Sequence, residues 1–388
     1  MQGGYIYLDH AATTPMRAEA VTAMQPYLAE QFANPSGSHR FAREARRVID
    51  EARDAVAGVL HCKPGEVVFT GGGTEGDNAA ILGAVRWIEA HGGRARAVCS
   101  AAEHHAVLHC VEHVHGEVVG TDRFGAIDVD ALGDTLERLV AEGVTPVVSV
   151  MAVNNEVGTI TPMNEVARVV RAKAPRAILH TDAVQAACWV DLAELTSLVD
   201  VLTLSSHKFG GPKGAGVMFL REGVNLEPLI LGGGQERDRR SGTHNVLGIA
   251  ASAAALVATV AERGAESVRI GALRNRLIEG LAQISGITAT IPADRSVPGI
   301  AHLCVEGIEN EALLYLLDEA NLCASAASAC ASGAMEPSHV LAAMGVPRDR
   351  AKGALRLSLG HTTTTDDVTA AIGIIGTAVT RLRERMRS

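Results

Sequence analysis

Apolar residues follow two rhythms along this chain. In the middle of the sequence, short runs are mostly apolar on successive positions: 67–70, 97–100, 147–153, 177–181, 201–205 and 216–220. A strand covered on both faces needs such runs, whereas a strand with one wet face alternates. Stretches with helical spacing, such as 164–174, lie between them. The alternation predicts βαβ units, and so an α/β fold with a mostly parallel sheet in a large domain. From about Ala261 the texture changes. Segments 273–284, 309–320 and 366–385 read as helices around a short strand near 302–305. They predict a small α+β domain. The expected division is 15–259 for the large domain, with 1–14 and 260–388 forming the small one. The Ala-rich, charge-free stretch 246–261 is shorter than a membrane span and reads as a packed helix.

Composition narrows the function classes. The 388 residues carry 35 Lys+Arg against 44 Asp+Glu, a net charge of −9, with 47% hydrophobic residues. So apolar a chain with so little net charge is not intrinsically disordered. Mild acidity without a basic stripe argues against direct nucleic-acid binding. The start, MQGGYIYLDHAATTP, shows no basic segment leading into an apolar run, so no signal peptide is expected. Seven cysteines, an odd number, then predict reduced thiols and a cytoplasmic location.

Candidate chemistry clusters where α/β sheets bind ligands, at the carboxyl ends of the strands. Thr74, His104, Asn155, Asp182, Ser205, His207 and Lys208 all fall there. The turn Gly71-Gly72-Gly73-Thr74-Glu75-Gly76 between a strand and a helix suits an anion. Gly71, Gly73 and Gly76 also satisfy the dinucleotide pattern G-x-G-x-x-G, but the acid expected about 20 residues later has no clear counterpart. Lys208, after a buried strand and beside hydroxyls and a His, suits an imine-forming amine; the alternative is a lysine in a surface turn. Asp182, with Gln185 three residues on, could keep a pyridine nitrogen protonated or cap a helix. Residues 325–334 are ten small side chains in a row, which predicts a mobile loop with Cys330 at its centre. That thiol is either a reactive group or, like most free cysteines, inert. Cys99, Cys110, Cys188 and Cys304 read as core thiols, with Cys62 and Cys323 intermediate. His105, His109 and His113 share one helix face, but three His along one helix cannot easily reach one ion. A solvated face is expected there, and no metal.

Taken in order, these segments resemble the group I, nitrogen-fixation-type cysteine desulfurases of the class V aminotransferase family. The resemblance runs from Tyr7-Leu8-Asp9-His10 to Arg356-Leu357-Ser358-Leu359-Gly360. It is most specific at Ser206-His207-Lys208, Asn154-Asn155-Glu156, Arg240-Ser241-Gly242-Thr243 and Ser328-Ala329-Cys330. It implies a fold-type-I, pyridoxal 5'-phosphate-dependent homodimer converting L-cysteine to L-alanine. Lys208 would be the Schiff-base lysine. Gly73, Thr74, Ser205 and His207 would hold the phosphate, with Thr243 reaching the partner subunit's phosphate. Asp182 would pair with the ring nitrogen, Gln185 and Asn155 would flank the phenolic oxygen, and His104 would stack on the ring and take part in catalysis. Asn155 and Arg356 would bind substrate. Cys330 would carry sulfur as a persulfide to an acceptor protein, such as an iron–sulfur scaffold or one serving tRNA thiolation or DNA phosphorothioation. A selenocysteine lyase, or another class V enzyme, is the alternative. The chain departs from the family's habit at Gly76 (often Ser), Ala331 (often a hydroxyl residue) and His361 (often Arg).

Overall fold

The structure, a computed structural model, describes residues 4–326 and 338–387. Among these, seven strands form the main sheet. Its spatial order is Val67–Thr70, Gly216–Leu220, Val201–Ser205, Ile178–Asp182, Thr145–Ser149, Ala95–Ser100 and Glu117–Val119. Gly216–Leu220 runs antiparallel to both neighbours, and the remaining pairs are parallel. The central strands are buried on both faces, which is why their sequences do not alternate.

The helix Gly73–Ala90 lies against the sheet at close range. A Cβ at Gly76 would sit 2.6 Å from the Thr203 γ-methyl, so a side chain at this position would push helix and strand apart. Beyond the main sheet, Ala354–Ser358, Ile300–Val305 and Ile287–Ala289 form an antiparallel sheet. The N-terminal arm pairs Ile6–Tyr7 with Leu322–Cys323 and bridges Asp9 to Ser358.

Residues 246–261 belong to a longer element than their composition suggests. The helix Val246–Ala282 has 37 residues and takes in all but the last two residues of segment 273–284. Its first half packs Ile249 and Leu256 into the core around the main sheet. Its second half packs Ile270, Leu273, Leu277 and Leu281 into a separate core with Ile6, Leu8, Leu303 and Leu357. The expected division at residue 260 therefore falls inside one continuous helix. By length and composition this helix could cross a membrane, but its buried apolar residues pack into these two cores. Two of the charges that interrupt it are paired sideways: Glu262 with Arg17 at 2.6 Å and Arg263 with Asp191 at 3.5 Å.

Candidate active site

A cavity of about 470 Å³ opens at the carboxyl ends of the parallel strands. Gly73, Thr74, His104, Asn155, Asp182, Gln185, Ser205, His207, Lys208 and Arg356 all line it. Asp9, Ala11 and Ala12 of the N-terminal arm close one side.

One end is built for an anion. The helix Gly73–Ala90 begins after Gly72, whose φ of 151° few other residues adopt, and no side chain caps its first turn. Its first amide groups therefore point out of the helix end with the positive end of the dipole behind them. A Cβ at Gly73 would meet the Val184 side chain at 2.8 Å and that of Ser205 at 3.4 Å, so the backbone here is open only because the residue is glycine. Thr74, Ser205 and His207 add polar side chains around the same opening.

The other groups form a floor and a wall. Asp182 is buried, and its Oδ1 accepts the Val184 amide at 2.8 Å. It thus closes a local turn; no helix follows for it to cap. Burial raises its pKa, while the Val184 amide and the Lys208 charge oppose the rise. His104 caps the helix His105–His113, with Nδ1 accepting the Ala106 amide at 3.1 Å. Burial, then Lys208 and neighbouring His rings, lower its pKa to about 4, so the ring is neutral and carries its proton on Nε2.

Lys208 Nζ donates to the carbonyls of Ala11 at 2.6 Å and Ala12 at 2.8 Å. Burial and the Arg356 charge lower its pKa to about 8, against the pull of Asp182 and Asp9. Gln185 Nε2 donates to the same Ala11 carbonyl at 2.7 Å, leaving its second amide hydrogen available. Arg356 comes from the other sheet, on Ala354–Ser358. Its two terminal nitrogens donate to Asn155 O at 2.9 Å and Asp9 Oδ1 at 2.8 Å, while its Nε is buried without a partner.

Thr243 is exposed and does not line this cavity. It follows a segment in which Glu236, Arg237 and Asp238 all have positive φ. Glu236 holds that segment, accepting from Arg53 at 2.5 and 2.8 Å, from the Phe69 amide at 3.0 Å and meeting His244 Nε2 at 2.8 Å. Cys330, with Ala331 and most of the small-residue run, lies outside the described residues. Along the predicted His face, the rings of His105 and His109 are 5.0 Å apart. His339, which sequence spacing does not reveal, stands 4.6 Å from His105, whereas His113 is exposed. Among the described residues, no three His, Cys, Asp or Glu side chains converge as a metal site.

No feature of the sequence points to Asp9 or Asp77, which also line the cavity. Asp9 lies in the N-terminal Tyr7-Leu8-Asp9-His10 segment, but nothing along the chain points from it to Arg356.

The family pattern described as class-V aminotransferase matches residues 6–370. The cysteine desulfurase IscS of Methanosarcina thermophila is 39% identical over 383 residues, covering 97% of this chain and 93% of its own. An IscS-like cysteine desulfurase of Mycobacterium tuberculosis is 42% identical over 387 residues, covering 97% of each. Among solved structures, a NifS-like protein superimposes with a TM-score of 0.89 at 34% identity, over 97% of this chain and 99% of the other.

Proposed function

The chain belongs to the class-V aminotransferases, and from that membership we propose that it is a cysteine desulfurase that uses pyridoxal 5'-phosphate to convert L-cysteine to L-alanine. The observation that carries the reading is the convergence, in one cavity, of a low-pKa lysine, a buried carboxylate, an uncapped helix start and a buried arginine.

The residues present fit the cofactor. The open amides at Gly73 and the side chains of Thr74, Ser205 and His207 would hold the phosphate. Asp182 would keep the ring nitrogen protonated, Gln185 and Asn155 would flank the phenolic oxygen, and the neutral His104 ring would cover its face. Lys208 would hold the group through its amine. When bound, pyridoxal phosphate supplies an electron sink for charge at the substrate carbon next to the amine.

The chain's own groups do the rest. Arg356, which lines the cavity, receives the substrate carboxylate. Asn155, whose carbonyl steadies Arg356, borders the substrate as well. Lys208, released on substrate binding, moves the proton at the substrate α-carbon, with His104 beside it as a further proton-handling group. The Cys330 thiolate attacks the substrate sulfur. The S–S bond forms as the C–S bond breaks, the electron pair of that bond stays with carbon, and carbon takes a proton. L-cysteine and a thiol become L-alanine and a persulfide, so the balance needs no external oxidant.

The large domain, 15–259, and the small one, 1–14 with 260–388, would enclose the site. Thr243, exposed on one subunit, would meet the partner subunit's phosphate in a cytoplasmic homodimer. The persulfide would pass to a sulfur-acceptor protein. The test is incubation of the cofactor-loaded protein with labelled L-cysteine, followed by assay of alanine and mass spectrometry of the Cys330 peptide. Alanine and a persulfide at Cys330 are expected. No alanine overturns the assignment, and alanine without the persulfide overturns the mechanism.

A further inference from the structure

Beneath the cavity lies a row of buried polar side chains that the proposed chemistry does not use. Ser149, His180 and Thr203 come from three adjacent strands and are fully buried. Ser149 Oγ stands 2.8 Å from His180 Nδ1, and His180 Nε2 stands 3.1 Å from Thr203 Oγ1. Asp77, one helical residue past the close contact at Gly76, ends the row. Its carboxyl meets the Thr203 hydroxyl, its Oδ1 lies 3.6 Å from His180 Nε2, and it is 1% exposed. The row runs directly under Asp182, which is two positions from His180 on the same strand and in register with Thr203. Asp77 itself borders the cavity.

We infer that Asp77 is a positioning residue for the cofactor's ring, a neutral acid that orders the Thr203–His180–Ser149 row and leaves Asp182 as the single anion facing the ring nitrogen. The inference rests on the cofactor reading above.

The surroundings decide the charge. The ionisable groups that bear on Asp77 are Asp182 from the neighbouring strand and Glu103 from the turn before His104, both carboxyls. Cys110 faces it from the helix His105–His113, and His180 is held neutral by burial. A carboxylate there would have no cation, and Oδ1 has no hydrogen-bond partner. Burial first, then Asp182 and Glu103, raise its pKa against the opposing Thr203 hydrogen bond. As an acid, Asp77 donates to Thr203 Oγ1, the Thr203 hydroxyl donates to His180 Nε2, and His180 donates from Nδ1 to Ser149. Each hydrogen is used once, and the imidazole has one tautomer. The floor under Asp182 is then rigid and dry, and the ring proton is shared with one carboxylate alone.

The experiment reconstitutes the apo protein with pyridoxal phosphate and titrates the absorbance of the bound cofactor with pH, alongside its rate of loss on dilution. Asp77→Asn keeps a neutral donor and is expected to leave the midpoint within about 0.3 unit of wild type. Asp77→Ala admits water beside Asp182, weakens its hold on the ring proton and is expected to move the midpoint downward by about one unit. Cofactor loss should then quicken about tenfold. Thr203→Val, which breaks the row while keeping its volume, is expected to act in the same direction and carries the test if Asp77→Ala does not fold. A midpoint shifted as far in Asp77→Asn as in Asp77→Ala overturns the inference, because the charge would then matter. Wild-type titration in Thr203→Val also overturns it. Failure of the wild-type protein to take up the cofactor overturns the cofactor reading and this inference with it.

Discussion

Asp9 Oδ1 and an Arg356 terminal nitrogen are 2.8 Å apart across 347 residues of chain, and this contact ties the N-terminal arm to the wall of the cavity. The arginine is almost fully buried and the aspartate partly exposed, so the pair orients the guanidinium more than it neutralises it. Asn155 O holds the other terminal nitrogen, and together the two contacts fix the plane in which a substrate carboxylate must arrive.

Asp9→Ala should therefore raise KM for L-cysteine with little change in kcat. A hydrogen bond to a charged group contributes about 1.5–3 kcal/mol, so the rise should be on the order of tenfold or more. Arg356→Lys should behave similarly, because an ammonium cannot reproduce the fork. Steady-state kinetics that put the loss in kcat instead would show that Asp9 does not act through substrate orientation.

Lys208 sets a pH dependence that can be read before any turnover. Its amine must be neutral to take up pyridoxal phosphate, and its pKa is lowered to about 8 by burial and Arg356. Uptake by the apo protein should accelerate as pH rises toward about 8 and level off above it. In Arg356→Ala one cause of the depression is gone, so the inflection should move to higher pH. Stopped-flow absorbance across the range measures both, and an inflection unmoved by the substitution would remove Arg356 from the account.

How much of this was legible in the sequence depends on where each contact lies. Strands Val67–Thr70, Val201–Ser205 and Gly216–Leu220 form at their predicted limits, because two-sided burial leaves a mostly apolar run that does not alternate. Strand Glu117–Val119 left no such run, since it is at the sheet edge with Val118 exposed. The helix Val246–Ala282 looked like separate pieces because charged residues interrupt its apolar pattern, and their partners Arg17 and Asp191 are far off in sequence. Lys208 and Asp182 stood out at strand ends. Asp77 and Asp9 did not, because their meaning comes from residues on other elements.

Glu236 gives a stability prediction with a definite sign. Burial alone would raise its pKa, but His244, Arg53 and the Phe69 amide outweigh it and lower it to about 2. A carboxylate with a lowered folded-state pKa stabilises the protein above its unfolded pKa, near 4.5, and that contribution fades as pH falls toward 2. Glu236→Gln leaves Arg53 buried without its anion and should cost about 3–5 kcal/mol near neutral pH. The cost should shrink on acidification. Denaturant unfolding at pH 7 and pH 4 checks both, and a deficit that grows at pH 4 would contradict the sign.

The contact between Gly76 and Thr203 makes the last prediction, and it concerns both packing and cofactor binding. A Cβ at residue 76 would stand 2.6 Å from the Thr203 γ-methyl and 3.0 Å from its hydroxyl. Gly76→Ala must therefore lift the first turn of Gly73–Ala90 off the sheet, against whatever the alanine gains in helix propensity. Overpacking of this kind costs about 1–3 kcal/mol, more than the roughly 1 kcal/mol that glycine gives up to alanine within a helix. Because the same turn presents the Gly73 amides, the substitution should weaken pyridoxal phosphate binding as well as lower the melting temperature. Thr203→Ser removes the γ-methyl and keeps the hydroxyl that meets His180, so the double substitution should recover much of both losses. Melting curves and cofactor titrations of the four proteins form the cycle. Additive losses in the double variant would mean that the helix is held off the strand by some other contact.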